Sequence, residues 1–488
     1  MQQPALRSID YIVLAAILAL AIVLRLIGLN APLWFDEIVT IQTYVNSPWN
    51  EVLQGYSMNN HFLFTLQSKF FASVFGDHIW AYRLPSVLFG IGTVLAIWWL
   101  ARDVAGIKVA HVSALLIALS YHQVWFSQNA RGYTELAFWS TMGMIFFLRG
   151  VRDPGRGVWI AYGIVLAAAV FTHLTGAFFF AAQGLIWLGL VIALAVKGRL
   201  PRDLVLSPLI GAAVGVLLLA MFYAPVVPDV LNTVGTVSET SAVDLMSEYQ
   251  NPIWTVFEGV RTAIGGAGSL PLVVAACVIV MSCVGAGALH NHASLFALSV
   301  LAHIVLMVVL LSVLGMRIWP RFFFSDIGFV LILIVAGVSA CAGYVGQLIG
   351  RPQLGPNLFI AVSVVMIAVS VVLIQRNYTA PKQDMAGSFA LAEDIRSVDT
   401  RVYSVGHSGP VFTDYFGADW GNLMSQQDYD AVLSQSGSVV LVVPFPARSV
   451  RMIPTLKEDI GSVFQLVHRF PGTLGDGSIL VLKRIGYD

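Results

Sequence analysis

The chain has 488 residues, 57% of them hydrophobic and 11% charged, with 27 Lys and Arg against 27 Asp and Glu. A soluble globular domain carries about 25% charged residues. Composition and a mean hydropathy of +0.79 therefore exclude an ordinary soluble protein, and the zero net charge offers no electrostatic footprint for a nucleic acid.

Apolar runs of about 17–25 residues cross a bilayer as helices. Eleven are predicted in chain order: 11–29, 82–100, 107–126, 132–148, 158–174, 177–196, 204–226, 268–288, 292–315, 322–346 and 357–375. The first is followed by no small-residue cleavage site and is expected to be a retained span. Segment 61–75 is too short to span and is expected in the interface. The cysteines, Cys277, Cys283 and Cys341, lie in apolar runs without disulfide or metal-ligand spacing and read as packing residues.

Short loops set orientation through their Lys and Arg. With the N-terminus inside, the inner loops hold ten positive residues, most densely in "RGVRDPGRG" and "KGRLPRD", and the outer loops and rims hold six. Asp36 and Glu37, the acidic 229–261 loop and everything after residue 375 are then expected outside. Residues 376–488 change character. Ten of the 27 Lys and Arg fall there, and β-branched runs recur at 401–405, 438–445, 463–470 and 478–484, with helix-like stretches near 384–397 and 450–460. The reading is an all-α polytopic membrane protein, residues 1–375, followed by a small extracytoplasmic α/β domain, residues 376–488.

Several arginines run against the positive-inside trend. Arg83, Arg131, Arg317 and Arg321 stand at outer helix ends, and Arg25 just inside one. Each alone reads most simply as a snorkelling side chain. As a set, beside Asp36, Glu37, His61, Asn129 and His173, they suit an anionic, lipid-linked substrate, because arginine binds phosphate bidentately and stays charged.

Four motifs carry a resemblance. "LWFDE" after the first span, "NNHFLF...GDHIWAYRLPSVLFG", "FSQNARGYTELAFW" and "FTHLTG" resemble, in order, outer-face segments of polytopic glycosyltransferases of the GT-C type, in particular bacterial protein-mannosyltransferase-like enzymes such as the lipid A aminoarabinose and lipopolysaccharide galacturonosyl transferases. The likeness covers roughly residues 10–180, with "RIWPRFFF" a weaker marker downstream. Where the family has Pro-Pro after its histidine, this chain has Phe62 and Leu63, and where it has Glu, this chain has Asn129.

The resemblance implies an inverting transfer from a polyprenyl-phosphate sugar to an acceptor hydroxyl on a glycan, lipid or protein, at the outer face of a bacterial cytoplasmic membrane. It implies Asp36 as general base with Glu37 as the adjacent carboxylate. It also implies donor contacts from His61, Arg83, Asn129, Arg131, His173 and Arg321. Some relatives bind a divalent metal near the first-loop acid, so Asp36, His61 and His173 are the candidate ligands; no other cofactor is implied. The Asp428-Tyr429-Asp430 triplet resembles a nucleotide-sugar metal signature but stands without a Rossmann pattern. The competing reading is a flippase or transporter of a lipid-linked sugar. Such proteins show internal repeats and mid-bilayer charges, whereas here the ionisable residues gather at the outer rim.

Overall fold

The computed structural model describes residues 5–236, 247–264, 270–473 and 475–486. Residues 237–246, part of the expected acidic loop, and the start of the 268–288 run lie outside the described residues. The chain separates into two compact units. The first holds most of the chain up to Gln375. The second holds Arg376 onward and also Asn30–Ser47, the loop that carries Asp36.

The first unit is helical. Among the described residues seven helices are long and apolar enough to cross a membrane: Ser8–Leu26, Ile79–Ala105, Gly176–Val196, Asp203–Thr233, Leu270–Val313, Asp326–Leu348 and Leu354–Thr379. An eighth is reached if the bent pair Ile107–Leu119 and Tyr121–Ser127, broken by 55°, counts as one span. The predicted figure of eleven is not reached on this measure, for three reasons. Arg156–Thr172 is short. Tyr133–Arg152 carries Glu135, Arg149 and Arg152 and is amphipathic rather than uniformly apolar. The predicted runs 268–288 and 292–315 fall on Leu270–Val313, counted once there although it is two helices that meet at a kink of non-helical backbone at Ala293. Segment 61–75 is the separate helix Phe62–Phe75.

Small residues bring the helices close. A Cβ on Gly163 would stand 2.0 Å from the carbonyl oxygen of Gly211, and one on Gly285 1.9 Å from that of Leu333. Backbones this near one another pack without side chains between them, the usual device where the hydrophobic effect does not drive association.

The second unit is built on a five-stranded sheet in the order β2-β1-β3-β5-β4, with β1 Arg401–Val405, β2 Gly421–Leu423, β3 Val439–Pro444, β4 Phe464–Phe470 and β5 Ile479–Arg484. β1 pairs in parallel with β2 and β3, and β5 runs antiparallel to β3 and β4. β3 is buried along its whole length, as a central strand covered on both faces must be. The Asp428-Tyr429-Asp430 triplet lies in the helix Gln426–Leu433, where Asp428 accepts from the Met424 N–H and Tyr429 is buried and donates to Asp459 at 2.8 Å. Those contacts give it a structural task.

Candidate active site

Three of the four motifs meet in the first unit, joined by hydrogen bonds between loops and by ring packing. His61 ends the "NNH" stretch at the N-cap of Phe62–Phe75. Its Nδ1 accepts the N–H of Gly132 at 2.9 Å, and its Nε2 stands 3.3 Å from Nη2 of Arg131. The other arm of Arg131 donates to the carbonyl and side-chain oxygens of Asn59 at 2.9 and 2.7 Å. Ser86, in "RLPS", donates to the Arg131 carbonyl at 2.9 Å, and its own carbonyl accepts from Thr134. From the fourth motif, the His173 ring packs edge-on to His61 at 4.7 Å, with Tyr133 4.9 Å from His61. Phe322 lies 5.8 Å from His173, so the 320–323 turn joins the cluster. That turn carries Arg321, whose guanidinium stands 4.8 Å from the Trp319 ring.

The electrostatics follow from burial. His61 is 1% exposed. Desolvation, then the positive charge of Arg131, hold its pKa well below the ordinary imidazole value, with His173 and Arg321 adding to the effect. The ring is therefore neutral. Because Gly132 donates to Nδ1, the single ring proton belongs on Nε2, facing Arg131. In His173, Nδ1 accepts the Thr175 N–H at 3.2 Å, which places that ring's proton on Nε2 as well.

The structure separates the expected site residues by task. Arg83 is fully buried, and its Nη1 donates to the Leu29 carbonyl at 2.7 Å. Gln128, which sequence reasoning passed over, donates to the carbonyls of Leu24, Arg25 and Ile27 at 3.3, 3.1 and 2.6 Å. Together these two satisfy carbonyls at the end of the first span, which the helix itself leaves unmet. Arg25 does not snorkel: it is fully buried and donates to Ser127 Oγ at 3.0 Å and the Ala21 carbonyl at 3.2 Å. Asn129 is buried, and its carbonyl accepts the Arg131 N–H at 2.8 Å, turning the chain toward the cluster. Glu135 was also missed. It is buried one turn beyond Gly132 and accepts from Gln67 at 2.8 Å and Trp139 at 3.1 Å.

Asp36 and Glu37 belong to the second unit, in the short helix Phe35–Thr40. Glu37 is buried, and its carboxylate accepts the Trp34 N–H at 3.4 Å, so it serves the helix N-terminus. Asp36 is half-buried. Among the described residues no group of three His, Cys, Asp or Glu is placed to hold a metal ion. Both ring nitrogens of His61 already face N–H donors, so the imidazole as placed does not fit a metal ligand.

Gly132 lies at the centre of the cluster. A Cβ there would meet Thr172 Cγ2 at 2.7 Å, His61 Nδ1 at 3.0 Å and Phe64 Cβ at 3.1 Å. Gly132→Ala is expected to cost about 1–3 kcal/mol through overpacking and to displace His61, seen as a lower thermal midpoint in detergent together with reduced activity.

Comparison with known proteins agrees with this architecture. The family model of dolichyl-phosphate-mannose-protein mannosyltransferases matches residues 62–228. ArnT from Cupriavidus metallidurans in the apo state superposes with a TM-score of 0.52 at 14% identity, over 96% of this chain and 97% of that one. The chain shares the fold of ArnT. The same fold is shared with the Archaeoglobus fulgidus oligosaccharyltransferase, at TM-score 0.55 and 12% identity over 90% of this chain and 71% of that one. YycA of Bacillus subtilis, whose description as a mannosyltransferase is itself provisional, is 30% identical over 101 residues. That stretch is 21% of this chain and spans 15% of the length of YycA. The family match begins at Phe62, directly after His61, and its range takes in Arg83, Arg131 and His173.

Proposed function

We propose that the protein is an inverting glycosyltransferase that moves a sugar from a polyprenyl phosphate to an acceptor hydroxyl at the outer face of a cytoplasmic membrane. The observation that carries this reading is the pairing of His61 and Arg131. Two N–H donors, one neutral and one cationic, face each other at 3.3 Å. Donors set against each other suit an anion that accepts from both, and a phosphate oxygen is such an acceptor. The charge of Arg321 acts on the same two histidines.

In this reading the acceptor oxygen attacks the anomeric carbon, the bond from that carbon to the phosphate oxygen breaks, and the configuration inverts. The electron pair leaves with the lipid phosphate, whose charge Arg131, Arg321 and the His61 Nε2–H stabilise. The acceptor proton passes to the Asp36 carboxylate, while the buried Glu37 keeps its place at the helix start. Arg83 and Asn129 support the donor site from behind, the first through Leu29 and the second through Arg131. ArnT has been solved with undecaprenyl phosphate and the A. fulgidus enzyme with a dolichol-phosphate, ligands of the kind this reading requires. The test is transfer in liposomes from undecaprenyl phosphates bearing mannose, arabinose, aminoarabinose or galacturonic acid. Failure of all four, with folded protein, rejects the reading.

Sidedness has its own test. Reporter fusions after Asp488 and within "RGVRDPGRG" are expected to report the outer and inner compartments respectively. A cytoplasmic signal from the C-terminal fusion would put the base on the wrong side for an outer-face enzyme.

A further inference from the structure

The second unit gives the Asp36 helix a defined seat. β1 pairs with β2 on one edge and β3 on the other, all parallel, so the chain reverses its direction of progress across the sheet at β1. In open α/β sheets the carboxyl ends of the strands at such a reversal are where functional groups collect. Val411–Tyr415 follows β1 and Phe445 follows β3 directly. The helix Phe35–Thr40 packs on Val411–Tyr415, and the ring of Phe35 meets that of Phe445 edge-on at 5.3 Å.

Phe445 is itself unusual. Its φ of 52° makes it the one non-glycine residue with positive φ among the described residues. For a bulky side chain that conformation is an outlier, and it persists only where the surroundings over-determine it. Here they do. Asp476 accepts the N–H groups of Ala447 and Arg448 at 3.0 and 3.2 Å, both N–H groups of Arg448 and Ser449 return to the Phe445 carbonyl at 3.0 Å, and Ser449 Oγ donates to the Pro444 carbonyl at 2.8 Å. The Arg448 guanidinium lies 4.5 Å from the Phe445 ring, on the residue that Phe35 also touches. A glycine would satisfy this backbone more easily, so the ring itself is what the site retains.

We propose that Phe445 is a positioning residue for the reaction: through Phe35 it holds the helix that carries Asp36. The inference rests on Asp36 as the base. The sheet then sets where the Asp36 helix stands within the second unit.

The test uses the full chain in detergent. Phe445→Gly keeps the backbone conformation and removes the ring. It is expected to raise amide hydrogen exchange at residues 35–40 and to lower turnover roughly ten- to a hundredfold, the range a small misplacement of a reacting group produces. The half-saturating concentration of undecaprenyl-phosphate sugar should not change. Phe445→Tyr, which keeps the ring, should restore both. Phe35→Ala with Phe445→Gly should be no worse than Phe35→Ala alone, since the two rings act as one contact. If Phe445→Gly also loosens β1 and β3, Phe35→Ala carries the same test from the other side. Unchanged exchange at 35–40 and unchanged turnover in both single variants overturn the proposal while leaving the base assignment standing, provided Asp36→Asn is inactive. An active Asp36→Asn overturns the base assignment, and the proposal with it.

Discussion

Asp36→Asn is expected to lower glycosyl transfer by about 10²–10⁴-fold, the usual contribution of a general base, with donor binding retained. Asparagine keeps the size and hydrogen-bonding shape of the side chain but cannot take the acceptor proton. The neighbouring change has a different expected signature. Glu37 is buried and accepts the Trp34 N–H, so Glu37→Gln should act mainly on stability, by about 0.5–2 kcal/mol, as lost caps do. Transfer from an undecaprenyl-phosphate donor, measured beside equilibrium donor binding, separates the two. Near wild-type turnover in Asp36→Asn with a dead, folded Glu37→Gln would move the base by one residue. Activity in both would remove the main support for an enzyme and bring the flippase reading forward.

The second large effect is expected at Arg131. Its guanidinium joins Asn59, His61 and the Tyr133 ring face at 5.8 Å. A charge-assisted hydrogen bond contributes about 1.5–3 kcal/mol, and about 1.4 kcal/mol is tenfold. Loss of the phosphate contact and of the Asn59 tether in Arg131→Ala should therefore lower kcat/KM by about a hundredfold or more. Arg131→Lys should recover only part of this, because an ammonium cannot hold Asn59 with one arm and face His61 with the other. Arg321→Ala, at the edge of the cluster, should cost about tenfold. Unchanged donor kinetics in all three variants would reject the phosphate assignment.

Removing the Arg131 charge also has an expected effect on His61. Part of what holds the His61 pKa down is that charge, behind burial. In Arg131→Ala the imidazole should titrate closer to its ordinary value while remaining depressed. A group with a depressed folded-state pKa of this kind destabilises the fold as pH falls below its unfolded value of about 6.5. The acid sensitivity attributable to His61 should be smaller in the variant, read as thermal midpoint against pH.

The sequence by itself determined where the chain is apolar, where its charges break that pattern, and in which order four short motifs occur. Span length and loop charge are local properties, and hydrophobic runs of sufficient length leave a chain few options in a bilayer. Each of those runs overlies helix in most of its described residues, although how many count as separate spans depended on the break at Ala293 and the 55° bend before Tyr121. Tertiary structure alone decided what the side chains do. Arg25 and Arg83 look like rim arginines in the sequence, yet both are fully buried on carbonyls contributed by other segments or by the helix end. His303 and Asp326 lie in two different apolar runs and appear as a buried pair at 2.8 Å only once their helices pack. Asp36 and Glu37 are adjacent in the chain, but Glu37 is buried on the Trp34 N–H while Asp36 is half-buried, because successive residues of a helix point about 100° apart. Phe35 and Phe445 are separated by most of the chain, and their contact has no local signature. Burial, hydrogen-bond partners and ring packing are set by neighbours distant in sequence, and the position of each chemical group follows from them.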